Sequence, residues 1–314
     1  MSLAPFSRRH VLPLLAGVII AVIALAAATT PGFFTLGNGQ AIIASMVFVG
    51  MVATGMTLVM VSGAFVSLAL ATTATICAMI FMASLPLGLP VALILTVAAG
   101  ALTGAVQGLA IGGWGANPII VTIAAAALLE GVAVALSQGA TITPLGGTAY
   151  QMLNARLLGL PVGFYVLVAL VLVTEAMLRF TSLGRMIYLV GDSRAAARAA
   201  GLPVEGIGTS VFALAGACAA LAGIFMASFN HSASLLLSRG TLSYDAIAAV
   251  LIGGAAIGGG RGTVFRTMLG VAIIATVTDL VLLRGFSTGA QILLKGTVMI
   301  AFALAVHFRQ EASQ

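Results

Sequence analysis

Apolar residues occur in this chain in long unbroken blocks, not in the alternation of a half-buried strand or the single stripe of a water-facing helix. Gly, Pro, Asn and the few charged residues divide it into ten apolar runs, at about 11–29, 39–61, 64–84, 90–111, 118–136, 162–180, 207–228, 243–258, 265–283 and 290–307. A helix needs roughly 20 such residues to cross the hydrocarbon layer. The pattern therefore predicts an all-α membrane protein of about ten transmembrane helices. Only Ser62 and Gly63 separate the second and third runs, which leaves a tight hairpin and one broken helix both open. The first run follows Arg8, Arg9 and His10 as a secretory signal would, but its apolar stretch is longer than a signal needs, so it reads as an uncleaved first span.

Composition narrows the picture. Of 314 residues, 61% are hydrophobic and 6% are charged, against about a quarter charged in soluble domains. The chain cannot cover a water-facing surface, and from His10 to Leu129 it has no Asp, Glu, Lys or Arg at all. The net charge of +6 comes from scattered single residues, not from a basic patch interleaved with aromatics, so nucleic acid is not an expected partner. Topology accounts for them. With both termini in the cytoplasm, Arg8, Arg9, Arg179, Arg185, Arg194, Arg198, Arg261, Arg266 and Arg309 lie at inner boundaries, and Arg156, Arg239, Arg284 and Lys295 lie toward the outside. The whole chain, 1–314, then reads as a single transmembrane domain whose largest inner segment is a cytoplasmic loop at 181–206. The largest outer segments are 137–161 and 229–242.

Several kinds of chemistry lack their residues. The lone lysine, Lys295, has no phosphate-loop context, and Gly258, Gly259, Gly260 and Gly262 around Arg261 match no glycine fingerprint and read as a tight turn. His10, His231 and His307 are too dispersed for a metal centre, Cys77 and Cys218 sit apart in apolar runs, and no nucleophile elbow occurs. No metal and no cofactor are expected. The 38 glycines instead suit helix packing in lipid, where small residues let backbones approach. Gly100, Gly104 and Gly108 make successive steps of four on one face, which suits packing within one subunit better than a dedicated dimer face.

Charged groups inside spans are costly unless they face protein or a wet path. Glu175 lies four residues before Arg179, the spacing of a local ion pair. Asp245 sits near a span end, within reach of headgroups or of a capping role. Asp279 and Lys295 flank the short 284–289 connection at matching depth, and antiparallel neighbours would let them form an intramembrane ion pair. Glu130 has no such neighbour and is the better candidate to face a path. With Ser62, Gln107, Asn117 and Thr122 it forms the candidate substrate path, although such side chains more often make helix-packing hydrogen bonds.

The 181–206 segment carries SLGR, then YLVGD, then SRAAARAAG. Ser193 can cap a short Ala-rich helix that shows Arg194 and Arg198 on one face and stops at Gly201. Such a helix would lie along anionic lipid or dock a cytoplasmic partner.

With LGRMIYLVGDSRAAARAAGL at 183–202, YDAIAAVLIGGAAIGGGRG at 244–262 and LLKGTVMIAFALAV at 293–306, the chain resembles the ribose-type family of bacterial ABC sugar-importer permeases. The resemblance covers nearly the whole chain. It implies the ABC importer permease fold in the bacterial inner membrane, a dimer with a second copy or a paralogue, a periplasmic solute-binding protein that delivers a monosaccharide or related polyol, and a separate cytoplasmic ABC ATPase. The ATPase would seat the 193–202 helix, with Arg185, Asp192, Arg194, Arg198 and Gly201 as the coupling residues. Ser62 to Leu68 departs from the family's Gly-Gly-Ile-Asp-Leu-Ser block, Glu130 stands where a basic residue is common, and Asp279 where Asn is common.

Two other readings compete. Related permeases carry nucleosides or other small polar solutes. An ion-coupled secondary transporter would use Glu130 or Asp279 as a proton site, but it has no need of a docking helix. A membrane enzyme has only the isolated carboxylates in its favour.

Overall fold

The computed structural model describes residues 29–144, 149–235, 241–256, 258–287 and 289–297. Its principal helices are α1 (Leu36–Val61), α2 (Leu70–Ser84), α3 (Leu89–Gly113), α4 (Pro118–Ser137), α5 (Val162–Phe180), α6 (Ser182–Asp192), α7 (Arg194–Ala199), α8 (Val204–Asn230), α9 (Leu242–Ile252) and α10 (Val264–Leu283). Residues 289–297 are helical as well. Among the described residues seven helices are long and apolar enough to cross a membrane, α2 counting with its 3-10 extension to Leu87. The protein is an all-α membrane protein. The first predicted span and the far half of the tenth lie outside the described residues.

Local chemistry sets the helix starts. Thr35 caps α1 by accepting a hydrogen bond from the Asn38 amide, and Asn117 caps α4 from the Ile119 amide ahead of Pro118. Thr263 caps α10 from the Arg266 amide. Such caps satisfy amides that the first helical turn leaves without partners.

Two boundaries differ from the sequence expectation. The third run becomes helical only at Leu70, because the chain after Ser62 turns at Gly63 and passes through Phe65 in a left-handed conformation, φ 58°. The eighth run ends at Ile252, and Gly254 has φ 79°. At about 1.5 Å rise per residue, the 11 residues of α9 span about 16 Å, half of a bilayer's hydrocarbon thickness.

The core is built around α8, which packs on α1, α2 and α3. Its contact with α3 is backbone to backbone. A side chain on Gly100 would meet the Gly216 carbonyl oxygen at 2.5 Å, one on Gly104 would strike the Phe212 carbonyl, and one on Gly108 would meet Thr209 Cα at 2.6 Å. The glycine face of α3 is thus used within the subunit. The other faces of α3 and α4 expose Ile94, Leu102, Val106, Ile120, Leu128 and Leu136, an apolar surface suited to lipid. Cys77 and Cys218 are buried free thiols.

The segment before α5 folds on itself. Arg156–Leu157 pairs with Leu160–Pro161 as a two-residue antiparallel hairpin, and Leu158 and Gly159 turn with φ 49° and 84°. Positive φ at both turn positions is the geometry that two-residue hairpins prefer.

Candidate functional site

The bundle has two unlike ends. One carries α6, α7, the start of α10 and the 258–262 turn, with Arg179, Arg185, Arg194, Arg198, Arg261 and Arg266. The other carries the hairpin, the start of α1 and the end of α8, with Arg156, Arg284 and Lys295.

At the first end the short helix has the predicted local form. Ser193 Oγ accepts from the Ala196 amide at 3.2 Å, and Gly201 closes the helix with φ 76° while the Leu202 amide returns to the Ala197 carbonyl at 3.0 Å. Arg185, Asp192, Arg194 and Arg198 are all exposed. Arg194 Nη2 donates to the Gly63 carbonyl at 3.4 Å, and Ser62, Arg194 and Arg198 line one small cavity of about 60 Å³. Four glycines make the floor of this end. The Gly260 amide donates to the Val61 carbonyl at 2.9 Å, a side chain on Gly191 would strike that same carbonyl, and one on Gly259 would meet Gly63 Cα at 2.6 Å. The 258–262 turn is therefore a packing turn, as expected, and its Gly260 amide is spent on protein.

Glu175 and Arg179 form the predicted ion pair at 2.6 Å. Sequence reasoning missed the second role of this carboxylate: Glu175 Oε2 also accepts from the Val264 amide at 2.8 Å, while Arg179 lies 5.8 Å from the Phe265 ring centre. Tyr188 on α6 donates to the Gly262 carbonyl at 2.7 Å. Burial, helped by the Glu175 carboxylate, raises the phenol above its ordinary pKa, so it stays a donor.

The predicted Asp279–Lys295 pair is not formed. Lys295 Nζ lies 2.7 Å from Asp245 Oδ1 and donates to Asp245 Oδ2 and to Thr241 Oγ1, each at 2.9 Å. Thr241 in turn donates to Asp245 Oδ2 at 2.7 Å. Asp279 accepts instead from Asn38 Nδ2 at 2.7 Å. Depth alone suggested the pairing, but Asp279 faces α1 and Lys295 faces α9. Asp245 is consequently a buried partner, not a group reaching for headgroups.

The five candidate path residues are not brought together on one cavity. Ser62 donates to the Val59 carbonyl at the α6–α7 end, and Asn117 is occupied as a cap. Thr122 is buried and donates to the Ile119 carbonyl, Gln107 is buried on α3, and Glu130 is half-buried on α4.

A recess with a volume of about 270 Å³ lies at the opposite end. Gln40, Ala44, Val47 and Phe48 of α1 form one wall and Phe225 and Phe229 of α8 another. Gly163 at the start of α5 lets that helix pack closely on these walls, since a side chain there would press on Phe225 and Val47, both at 3.0 Å. Asn154, Arg156 and His231 bring polar groups to its rim. Its signal in the sequence was faint: one glutamine in an apolar run and two polar residues in a long loop.

Comparison with known proteins identifies the family. Residues 38–303 match the family described as "Branched-chain amino acid transport system / permease component". The chain is 31% identical over 300 residues to the ribose import permease protein RbsC of Escherichia coli K12, which covers 93% of this chain and 92% of that one. It is 30% identical over 302 residues to the L-arabinose transport system permease protein AraH of the same organism, covering 95% and 91%. It is 29% identical over 316 residues to the probable ABC transporter permease protein YphD, covering 97% and 92%. A chain with this helical bundle, matched along most of its length to permeases, is a transport subunit and not an enzyme, and it belongs to this family of transport-system permease components.

Proposed function

We propose that the chain is the membrane subunit of an ATP-driven bacterial importer, embedded in the inner membrane, for a monosaccharide or related polyol delivered by a periplasmic binding protein. It crosses the membrane about ten times with both ends in the cytoplasm, pairs with a second permease chain, and docks the 194–199 helix into a cytoplasmic ATPase. The observation that carries this reading is the capped α7, with Arg194 and Arg198 exposed at the arginine-rich end of the bundle. The excess of arginine at that end supports its cytoplasmic placement. The sugar class is supported by the names of the relatives, ribose for RbsC and L-arabinose for AraH.

The test joins the chain with its cognate ATPase and binding protein in proteoliposomes. Arg194→Glu with Arg198→Glu sets like charges against a matched surface, so ATP-driven solute uptake is lost while insertion and thermal stability stay normal. Undiminished uptake would overturn the docking assignment. The purified chain alone accumulates no solute under any ion gradient; concentrative uptake by it would replace this reading with secondary transport.

A further inference from the structure

The recess at the hairpin end has no part in ATPase docking, and its lining is chemically one-sided. Gln40 and Arg156 make no side-chain hydrogen bond or ion pair with the described residues. Asn154 donates its amide to the Ser228 carbonyl at 2.5 Å, which leaves Oδ1 open to accept, and His231 uses Nδ1 against the Tyr150 hydroxyl at 3.2 Å, which leaves Nε2. No Asp or Glu lines the recess, so Arg156 is an uncompensated cation at its rim. The walls are aromatic, with the Phe48 and Phe229 rings edge to face at 5.6 Å. The volume of about 270 Å³ equals about nine waters at roughly 30 Å³ each, the scale of one sugar ring and its substituents.

We infer that this recess receives a monosaccharide-sized solute that carries a carboxylate, a sugar acid, before it enters the permease. The assignment rests on the importer reading and names its substrate class. The apolar face of the ring lies on Phe229 and Phe48, hydroxyls meet the Gln40 amide and Asn154 Oδ1, and the carboxylate meets Arg156. A guanidinium presents paired donors in a planar fork that matches a carboxylate, and such charge-assisted bonds are about twice as strong as neutral ones. A neutral sugar fills the same space without that bond.

Saturation-transfer NMR on the full chain in nanodiscs of neutral phosphatidylcholine tests this with three pairs of probes: D-glucuronate and D-glucose, D-galacturonate and D-galactose, D-mannuronate and D-mannose. At least one acid binds about tenfold more tightly than its neutral counterpart. Arg156→Gln removes that preference, and because Arg156 is exposed the variant keeps the wild-type melting temperature. Phe229→Ala weakens both members of the pair. Equal binding within every pair, or a preference that survives Arg156→Gln, overturns the assignment. So does displacement of every acid when phosphatidylglycerol replaces part of the lipid, which would make the recess a headgroup site. The importer reading is judged separately through Arg194 and Arg198 at the opposite end. Loss of the acid preference with uptake still sensitive to those arginines removes the recess assignment alone.

Discussion

Glu175 and Val264 are 89 residues apart in the chain, yet the Glu175 carboxylate accepts the Val264 backbone amide at 2.8 Å. A side chain near the end of α5 thereby caps the start of α10 and meets the positive end of its dipole. The other carboxylate oxygen holds Arg179, so one group joins two helices and neutralises its own charge.

Removing it therefore costs more than a surface ion pair. Glu175→Ala leaves the Val264 amide buried without an acceptor, a loss of about 1–3 kcal/mol. Glu175→Gln keeps a carbonyl acceptor and loses less. Thermal unfolding in detergent ranks the three chains wild type, Gln, Ala; equal melting of Gln and Ala variants would show that the amide bond contributes nothing.

Lys295 and Asp245 give a sharper test. Breaking a buried pair strands one charge, at about 3–5 kcal/mol, whereas removing both partners together is far less costly. Melting temperature falls for Lys295→Met and for Asp245→Leu singly and recovers in the double variant. Lys295→Met combined with Asp279→Asn gives additive losses, because Asp279 belongs to Asn38. Recovery in that second combination would restore the pairing inferred from depth.

Gly104 and Gly131 are both helix-interior glycines with opposite surroundings. A methyl on Gly104 strikes the Phe212 carbonyl, while one on Gly131 meets nothing within 4 Å. Gly104→Ala forces α3 from α8 and destabilises the monomer by about 1–3 kcal/mol. Gly131→Ala changes stability little or raises it by about 0.5–1 kcal/mol through helix propensity. Unfolding of monomer in detergent separates this from a dimer role, since a glycine face used only between subunits would leave the monomer's melting unchanged.

These cases show where the amino-acid order is informative. Ser193 and Gly201 announce the short helix because a cap and a left-handed stop act within their own turn. The glycine steps on α3 announce a close contact, and membrane packing chemistry points to a helix of the same chain. Asp279 and Lys295 mislead because depth along a helix is one coordinate and the facing side is another. Glu175 conceals its second partner because a backbone amide leaves no residue-type signature at position 264. The 64–69 stretch is apolar whether helical or not, so its turn through Phe65 is invisible to a hydropathy pattern. The five path candidates share only polarity within small-residue spans, a property that helix packing also produces.

The glycine floor under α7 has a mechanical consequence. Gly63, Gly191, Gly259 and Gly260 bring the end of α1, the end of α6 and the 258–262 turn into main-chain contact. These contacts are main chain against main chain, so a displacement at this joint must move backbone. Even one added methyl at Gly191 would strike the Val61 carbonyl and act as a shim that changes the angle of the joint.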